Sequence, residues 1–421
     1  MNLIRKLILV VTACVILFTA TLPAYAVVEP LISPNNPYGI HIFDENDLDD
    51  AEALVNSNGG DWGYVTFVIR KDERDSKRWQ NVFNKMRRLH LIPIVRIATQ
   101  QQNGGWEKPN LDEIDGWVSF LTNLNWVAQN RYLVIGNEPN HAKEWGGELN
   151  PSEYGNYLHA FSKKLKTSNS NFFIMPAGFD ASASNGKASM SEDSFLREMV
   201  EKNQNVFEYV DGWASHSYPN PNFSGSQDDI GRGTVRTYEW ELRLLKNLGV
   251  EKKLPVFITE TGWAHDKGEN EKEFENIEEV TKRLTASYEL AWNDERVVAI
   301  TPFILNYQGE PFDVFSWKKK DGTFYEFYYE IQKLPKPRGV PNQTVSVDVL
   351  SLVLPPLLPT NEGFVGIVTL KNTGQSIWKG NEKIYAENRG FEIILEPRVL
   401  FSDIEPGEKS LAVIKVKFKR K

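Results

Sequence analysis

Between Tyr38 and Leu334 the chain repeats one alternation: a short apolar run, then an amphipathic stretch of helical spacing. The eight runs are Tyr38–Phe43, Gly63–Arg70, Leu91–Thr99, Tyr132–Glu138, Phe172–Phe179, Gly212–Tyr218, Pro255–Gly262 and Val297–Leu305. Each is apolar along most of its length rather than at every second residue, the pattern of a strand buried on both faces of a parallel sheet. A half-exposed antiparallel sheet does not fit this part of the chain. The intervening stretches place Trp79, Val82, Phe83, Met86 and Leu89, or Tyr154, Tyr157, Leu158, Phe161 and Leu165, three and four residues apart, so one helical face can cover the sheet. Eight β-then-α units predict a (β/α)8 barrel, in which reactive groups project from the C-terminal ends of the strands.

Both flanks of this region differ from it. Residues 1–26 carry Arg5 and Lys6, an apolar stretch from Leu7 and the small-residue ending Pro23-Ala24-Tyr25-Ala26, which together predict a secretory signal cleaved after Ala26 and a secreted or envelope-exterior location. The same stretch is long enough to remain as an uncleaved anchor, and Val11-Thr12-Ala13-Cys14 loosely matches a lipoprotein box. Cys14 is the one cysteine of the chain, so cleavage leaves neither disulfides nor a thiolate nucleophile. A net charge of −8 without a basic stripe argues against nucleic-acid and anionic-membrane partners and favours an uncharged one. At the other end, residues 335–341, rich in proline, read as a linker between the barrel at 27–334 and a β-rich segment at 342–421. There the alternating runs Val345–Val353, Phe364–Leu370, Phe391–Leu395 and Ala412–Phe418 predict a small all-β antiparallel sandwich. Thr369-Leu370-Lys371-Asn372-Thr373-Gly374 with Trp378 resembles the immunoglobulin-like accessory modules of bacterial surface proteins.

Two barrel runs end on a carboxylate, the fourth in Gly136-Asn137-Glu138-Pro139-Asn140 and the seventh in Thr259-Glu260-Thr261-Gly262-Trp263. Either motif alone is also compatible with a turn, because Asn, Pro and Gly punctuate strand and helix ends. Together, at strands four and seven with Asn137 directly before the first glutamate, they resemble the clan A glycoside hydrolases, TIM-barrel enzymes that cleave β-glycosidic bonds with retention. The resemblance implies Glu138 as acid/base, Glu260 as nucleophile and Asn137 as a ligand of the sugar 2-hydroxyl. It further implies that His216 and Tyr218, two apart on the sixth run and so on one side of it, approach the two glutamates. An arginine at a strand end, Arg96 in preference to Arg70, would hold the nucleophile ionised. Sugar rings would stack on tryptophans of the loops after the strands, with Trp106, Trp145, Trp263 and Trp317 as candidates and Trp317 similar to the clan's strand-eight tryptophan.

The histidines are scattered, with neither a His-x-His on the first run nor a His-Glu-x-x-His, and no glycine-rich phosphate loop follows a strand, so no metal or cofactor is expected. The expected function is an exported retaining β-glycosidase acting on a poly- or oligosaccharide. Cellulase-like, endo-β-1,3-glucanase-like and β-xylosidase-like members share these motifs equally. A non-catalytic carbohydrate-binding protein on the same barrel is the rival.

Overall fold

In the computed structural model, residues 27–102, 104–266, 274–353, 364–379, 385–388, 391–396 and 403–418 are described. The expected signal at residues 1–26 lies outside them. All eight barrel strands are present: β1 (Gly39–His41), β2 (Gly63–Arg70), β3 (Leu91–Ala98), β4 (Arg131–Ile135), β5 (Phe172–Pro176), β6 (Trp213–His216), β7 (Val256–Glu260) and β8 (Val297–Ile300). A helix follows each in turn: α1 (Leu48–Val55), α2 (Ser76–Arg88), α3 (Ile114–Asn123), α4 (Pro151–Ser168), α5 (Glu192–Lys202), α6 (Thr237–Asn247), α7 (Ile277–Ala286) and α8 (Glu326–Lys333).

Strands β1 to β5 pair in parallel in sequence order, as do β6 to β8. Two parallel bridges close the ring, Tyr38 to Ile300 between the first and last strands and Asp180 to His216 between the fifth and sixth. Alternate residues face inward: Ile92 and Ile94 of β3, Tyr132 and Val134 of β4, Phe173 and Met175 of β5 and Ala214 of β6 fill the centre with Tyr64 and Phe257. The intervening residues, such as Val65, Phe67 and Ile69, pack against the helices. Burial on both faces explains why the runs are apolar throughout. It also fixes which side chains reach the mouth, since the inward series Ile92, Ile94 continues to Arg96 and Ala214 continues to His216.

Beyond the barrel, residues 335–341 are held against it rather than hanging free. The Gly339 N–H donates to Asp61 O at 2.9 Å, Val340 N–H to Pro34 O at 2.8 Å and the buried Lys336 ammonium to Ile331 O at 2.6 Å. The last segment is antiparallel, with β9 (Val347–Val353), β10 (Phe364–Asn372), β11 (Tyr385–Asn388), β12 (Phe391–Glu396) and β13 (Lys409–Phe418) in the order β9-β10-β13-β12-β11. The described residues of this segment form one five-stranded sheet. Gln375 Nε2 donates to Ala128 O at 2.6 Å and Asn125 Nδ2 to Gly374 O at 2.9 Å, which seats this sheet beside the segment leading into β4, at the end opposite the mouth. No helix among the described residues is long and apolar enough to cross a membrane.

Candidate active site

Four strands deliver a group of polar side chains to the centre of the mouth. After β4 the chain leaves the sheet through Gly136 at φ +92°, and Glu138 itself adopts φ +32°, a left-handed conformation that costs energy for any residue but glycine. Backbone bonds hold it there: Glu138 N–H donates to Gly178 O at 2.9 Å and His141 N–H to Glu138 O at 2.8 Å. Gly178, after β5, is required by packing. A Cβ at this position would fall 2.1 Å from the His216 ring. Gly178→Ala is therefore expected to destabilise the fold by about 1–3 kcal/mol, the usual cost of overpacking a full site, with a lowered thermal midpoint; an unchanged midpoint would show that the ring moves aside freely.

Through His216 the two glutamates are joined. The His216 Nδ1 lies 2.9 Å from Glu138 Oε1 and 3.8 Å from Glu260 Oε2. Tyr218 donates its hydroxyl to Glu260 Oε2 at 3.1 Å, and the Arg96 guanidinium donates to Glu260 Oε1 at 3.4 Å. The same guanidinium bonds Asn137 Oδ1, while Asn137 Nδ2 donates to Glu144 Oε2 at 3.2 Å. Both ends of the Asn137 amide are thus occupied, which fixes its orientation. One ligand atom each from Glu138, His216 and Glu260 lies within 4.8 Å of the others.

The charges of the cluster are mutually adjusted. Burial acts to raise the Glu260 carboxyl, but His216, Arg96 and the Tyr218 bond outweigh it and hold Glu260 below its ordinary range. Burial acts to lower His216, yet Glu260 and the Glu138 bond leave the imidazole more basic than usual. Tyr218 is pushed well up by burial and by Glu260 and Glu138, and so remains a donor. His41, at the end of β1, is driven the other way: burial above all lowers it to about 3, which leaves a neutral ring beside Glu260. Glu144 is raised by burial and by Glu138.

Glu138, His216 and Glu260 are also, among the described residues, the one set of potential ligand atoms close enough to share a cation. Arg96 sets a fixed positive charge against that set, so the trio suits proton handling better than metal binding.

Asn137, Glu138, Glu260, Arg96, His216 and Tyr218 are therefore brought together as the sequence suggested. Arg70 is not among them: it is half-exposed and pairs with Asp72 and Glu73. The tryptophans need correction. Trp263 and Trp317 are each 2% exposed and lie in the core. Trp263 donates its indole N–H to Gly225 O at 2.8 Å, and Trp317 packs edge-on against Phe327 of α8. Neither ring has a face left for a sugar. Trp145 is buried against Tyr154 and Tyr157, and only Trp106 of the four is partly exposed. Sequence reasoning missed His41, Glu144 and Phe303. The last follows β8, its ring centroid 5.1 Å from that of His41.

No family model matches the chain, and no curated protein matches it. Solved structures do. An endo-beta-1,3-glucanase from Pseudomonas viridiflava is 12% identical over 71% of this chain and 98% of its own, at a TM-score of 0.46. A beta-xylosidase from Caulobacter crescentus is 10% identical over 92% of this chain and 98% of its own, at 0.48. A glucosidase from Croceicoccus marinus is 10% identical over 92% of this chain and 97% of its own, at 0.52. Through the last of these likenesses, this chain shares the barrel fold of that glucosidase.

Proposed function

We propose that the chain is an exported retaining β-glycosidase that hydrolyses O-glycosidic bonds of a poly- or oligosaccharide. The observation that carries this reading is the spacing of Glu138 and Glu260, whose nearest paired oxygens lie within 4.8 Å. Carboxyl groups about 5–5.5 Å apart suit direct attack, whereas inversion needs about 6.5–9.5 Å to admit a water.

A glycosidic oxygen leaves poorly unless protonated. Glu138 gives its proton to that oxygen while the Glu260 carboxylate attacks the anomeric carbon, forming a glycosyl ester as the exocyclic C–O bond breaks. Glu138, now a carboxylate, takes a proton from water, which attacks the same carbon and releases Glu260. Arg96 and Tyr218 keep Glu260 ionised and aimed by bonding one oxygen each. The His216 imidazole donates to Glu138 when that residue is a carboxylate, and steadies it between its two roles. Asn137, its amide fixed by Arg96 and Glu144, retains a second Nδ2 hydrogen for a sugar hydroxyl.

Purified protein assayed against β-1,3-glucan, β-1,4-glucan, xylan, mannan and galactan is expected to release reducing sugar from at least one, initially as the β-anomer. Initial release of the α-anomer would refute retention. In Tyr218→Phe, loss of the hydroxyl removes one of the groups that lower Glu260, so the acidic limb of the kcat/KM profile is expected to move to higher pH with roughly a tenfold loss of rate. An unmoved limb would sever Tyr218 from the ionisation of Glu260.

A further inference from the structure

At the mouth, a wall of aromatic rings runs from Glu260 out to solvent. Tyr218, whose hydroxyl bonds Glu260, has its ring centroid 5.9 Å from that of Phe315, and Phe315 lies 6.0 Å from Phe303. Phe303 meets Phe312 edge-on at 5.3 Å, Phe312 meets Tyr307 at 5.5 Å, and Tyr307 meets Phe43 at 5.1 Å. Exposure increases outward along this series: Phe315 is buried, Phe303 and Tyr307 are half-buried, Phe312 is 41% exposed and Phe43 is 69% exposed. Scattered apolar side chains on a surface are ordinary, but rings in mutual contact that lead continuously into a polar cleft mark a binding surface.

We propose that Phe43, Tyr307 and Phe312 form a subsite platform for a β-linked chain of all-equatorial pyranoses, glucose- or xylose-configured. The direction of that chain rests on the glycosidase reading. Glu138, after β4, must lie beside the leaving group, so the sugars on the other side of the cleaved bond extend toward the opposite side of the mouth. That side is formed by β1 and β8, joined through the Tyr38–Ile300 bridge, and the platform stands on the segments that follow these two strands. The choice of sugar follows from the shape of the ring. When every hydroxyl is equatorial, both faces of a pyranose present axial C–H groups that pack flat on an aromatic ring and leave water together. An axial hydroxyl, as at C4 of galactose or C2 of mannose, breaks one of the two faces, so such a sugar packs flat on the platform in one orientation only and binds it less well. The buried Trp263 and Trp317 cannot supply this surface.

The test measures binding apart from turnover. Full-length Glu260→Ala protein is titrated calorimetrically with β-1,3-glucohexaose, cellohexaose, β-1,4-xylohexaose, β-1,4-mannohexaose and β-1,4-galactohexaose, and again with Phe43→Ala or Phe312→Ala added. At least one glucose- or xylose-based hexaose is expected to bind, and to bind more tightly than the galactose and mannose hexaoses. Each ring removal is expected to weaken binding about 5- to 10-fold, the loss growing from disaccharide to hexasaccharide. Leu290→Ala, an exposed position on the helical turn that follows α7, serves as the control for unspecific effects. The wall variants remove exposed rings, and their circular dichroism and thermal midpoint report any misfolding directly. No hexaose bound, equal binding of the galactose and glucose forms, or ring removal without effect would each overturn the proposal. If the wild type hydrolyses a polymer and the ring variants bind as their parent does, the platform fails and the glycosidase reading stands. If the ring variants lose binding and the wild type hydrolyses nothing, the platform stands and the catalytic reading fails.

Discussion

Glu260→Ala is expected to lose at least about 10⁴-fold in turnover, and azide is expected to restore part of it as a glycosyl azide of inverted, α configuration. The substitution removes the atom that attacks the anomeric carbon but leaves Arg96 and Tyr218 in place, so the vacated space is lined by a guanidinium and a hydroxyl that Glu260 now occupies as partners. A small anion fits that environment. It attacks from the face Glu260 used and, with no second displacement, leaves the opposite anomer. Glu138→Ala gives the complementary result. Its glycosylation step slows for substrates with poor leaving groups, by about 10²–10⁴-fold, and less for an activated aryl glycoside that needs no proton. Azide then attacks the ester on Glu260 and yields the retained β-azide. The two stereochemical outcomes assign the roles of the two glutamates independently of rate. A β-azide from Glu260→Ala, or full activity in either variant, would refute the assignment.

Much of the barrel could be read from the chain because strands buried on both faces leave short apolar runs, and their regular alternation with amphipathic stretches separates them from buried helices. Gly63–Arg70 is found with the bounds its sequence implies, and Tyr132–Glu138 ends three residues early because Gly136 turns the chain out of the sheet. The glutamate pair was legible from its joint placement at the ends of the fourth and seventh strands, together with the resemblance those motifs carry. The choice between Arg70 and Arg96 was not, since both lie at or near the ends of strands on the inward-facing series. It is settled by register: Arg96 pairs with Val68, so Arg70 stands two residues further out and reaches solvent and Asp72 instead of Glu260. Register between parallel strands is a long-range property that side-chain periodicity does not encode. The aromatic platform was hidden for a related reason. Phe43 is separated from Tyr307 and Phe312 by most of the barrel in sequence and meets them only because β1 and β8 close the ring. Trp263 misled in the opposite way: its place three residues after Glu260 pointed to the mouth, but Gly262, at φ +138°, turns the chain and the indole packs against Trp292.

Glu241→Gln is expected to raise the stability of the protein at pH 8 and to change it little at pH 5. Glu241 of α6 and Glu192 of α5 are wholly buried behind β6, and none of their four carboxyl oxygens makes a hydrogen bond of ordinary geometry. Burial raises Glu241 to about 7, against the weaker pull of Ser215, Trp213, Glu192 and His216. Burial and the neighbouring Glu241 raise Glu192 well above its usual value, with Asp180 adding to the rise and Arg232 opposing it. The folded protein therefore holds protons that the unfolded chain releases near pH 4.5, so this contribution is complete below that pH and is lost as pH rises through about 7. Across that window a single carboxyl shifted this far is worth on the order of 3 kcal/mol, and an amide at position 241 carries no proton to lose. The measurement is the thermal midpoint of variant minus wild type from pH 5 to 8, which cancels the titrating groups that do not interact with Glu241 and reads the Glu241–Glu192 pair. A difference that grows by several degrees with pH supports the account, and a difference independent of pH refutes it.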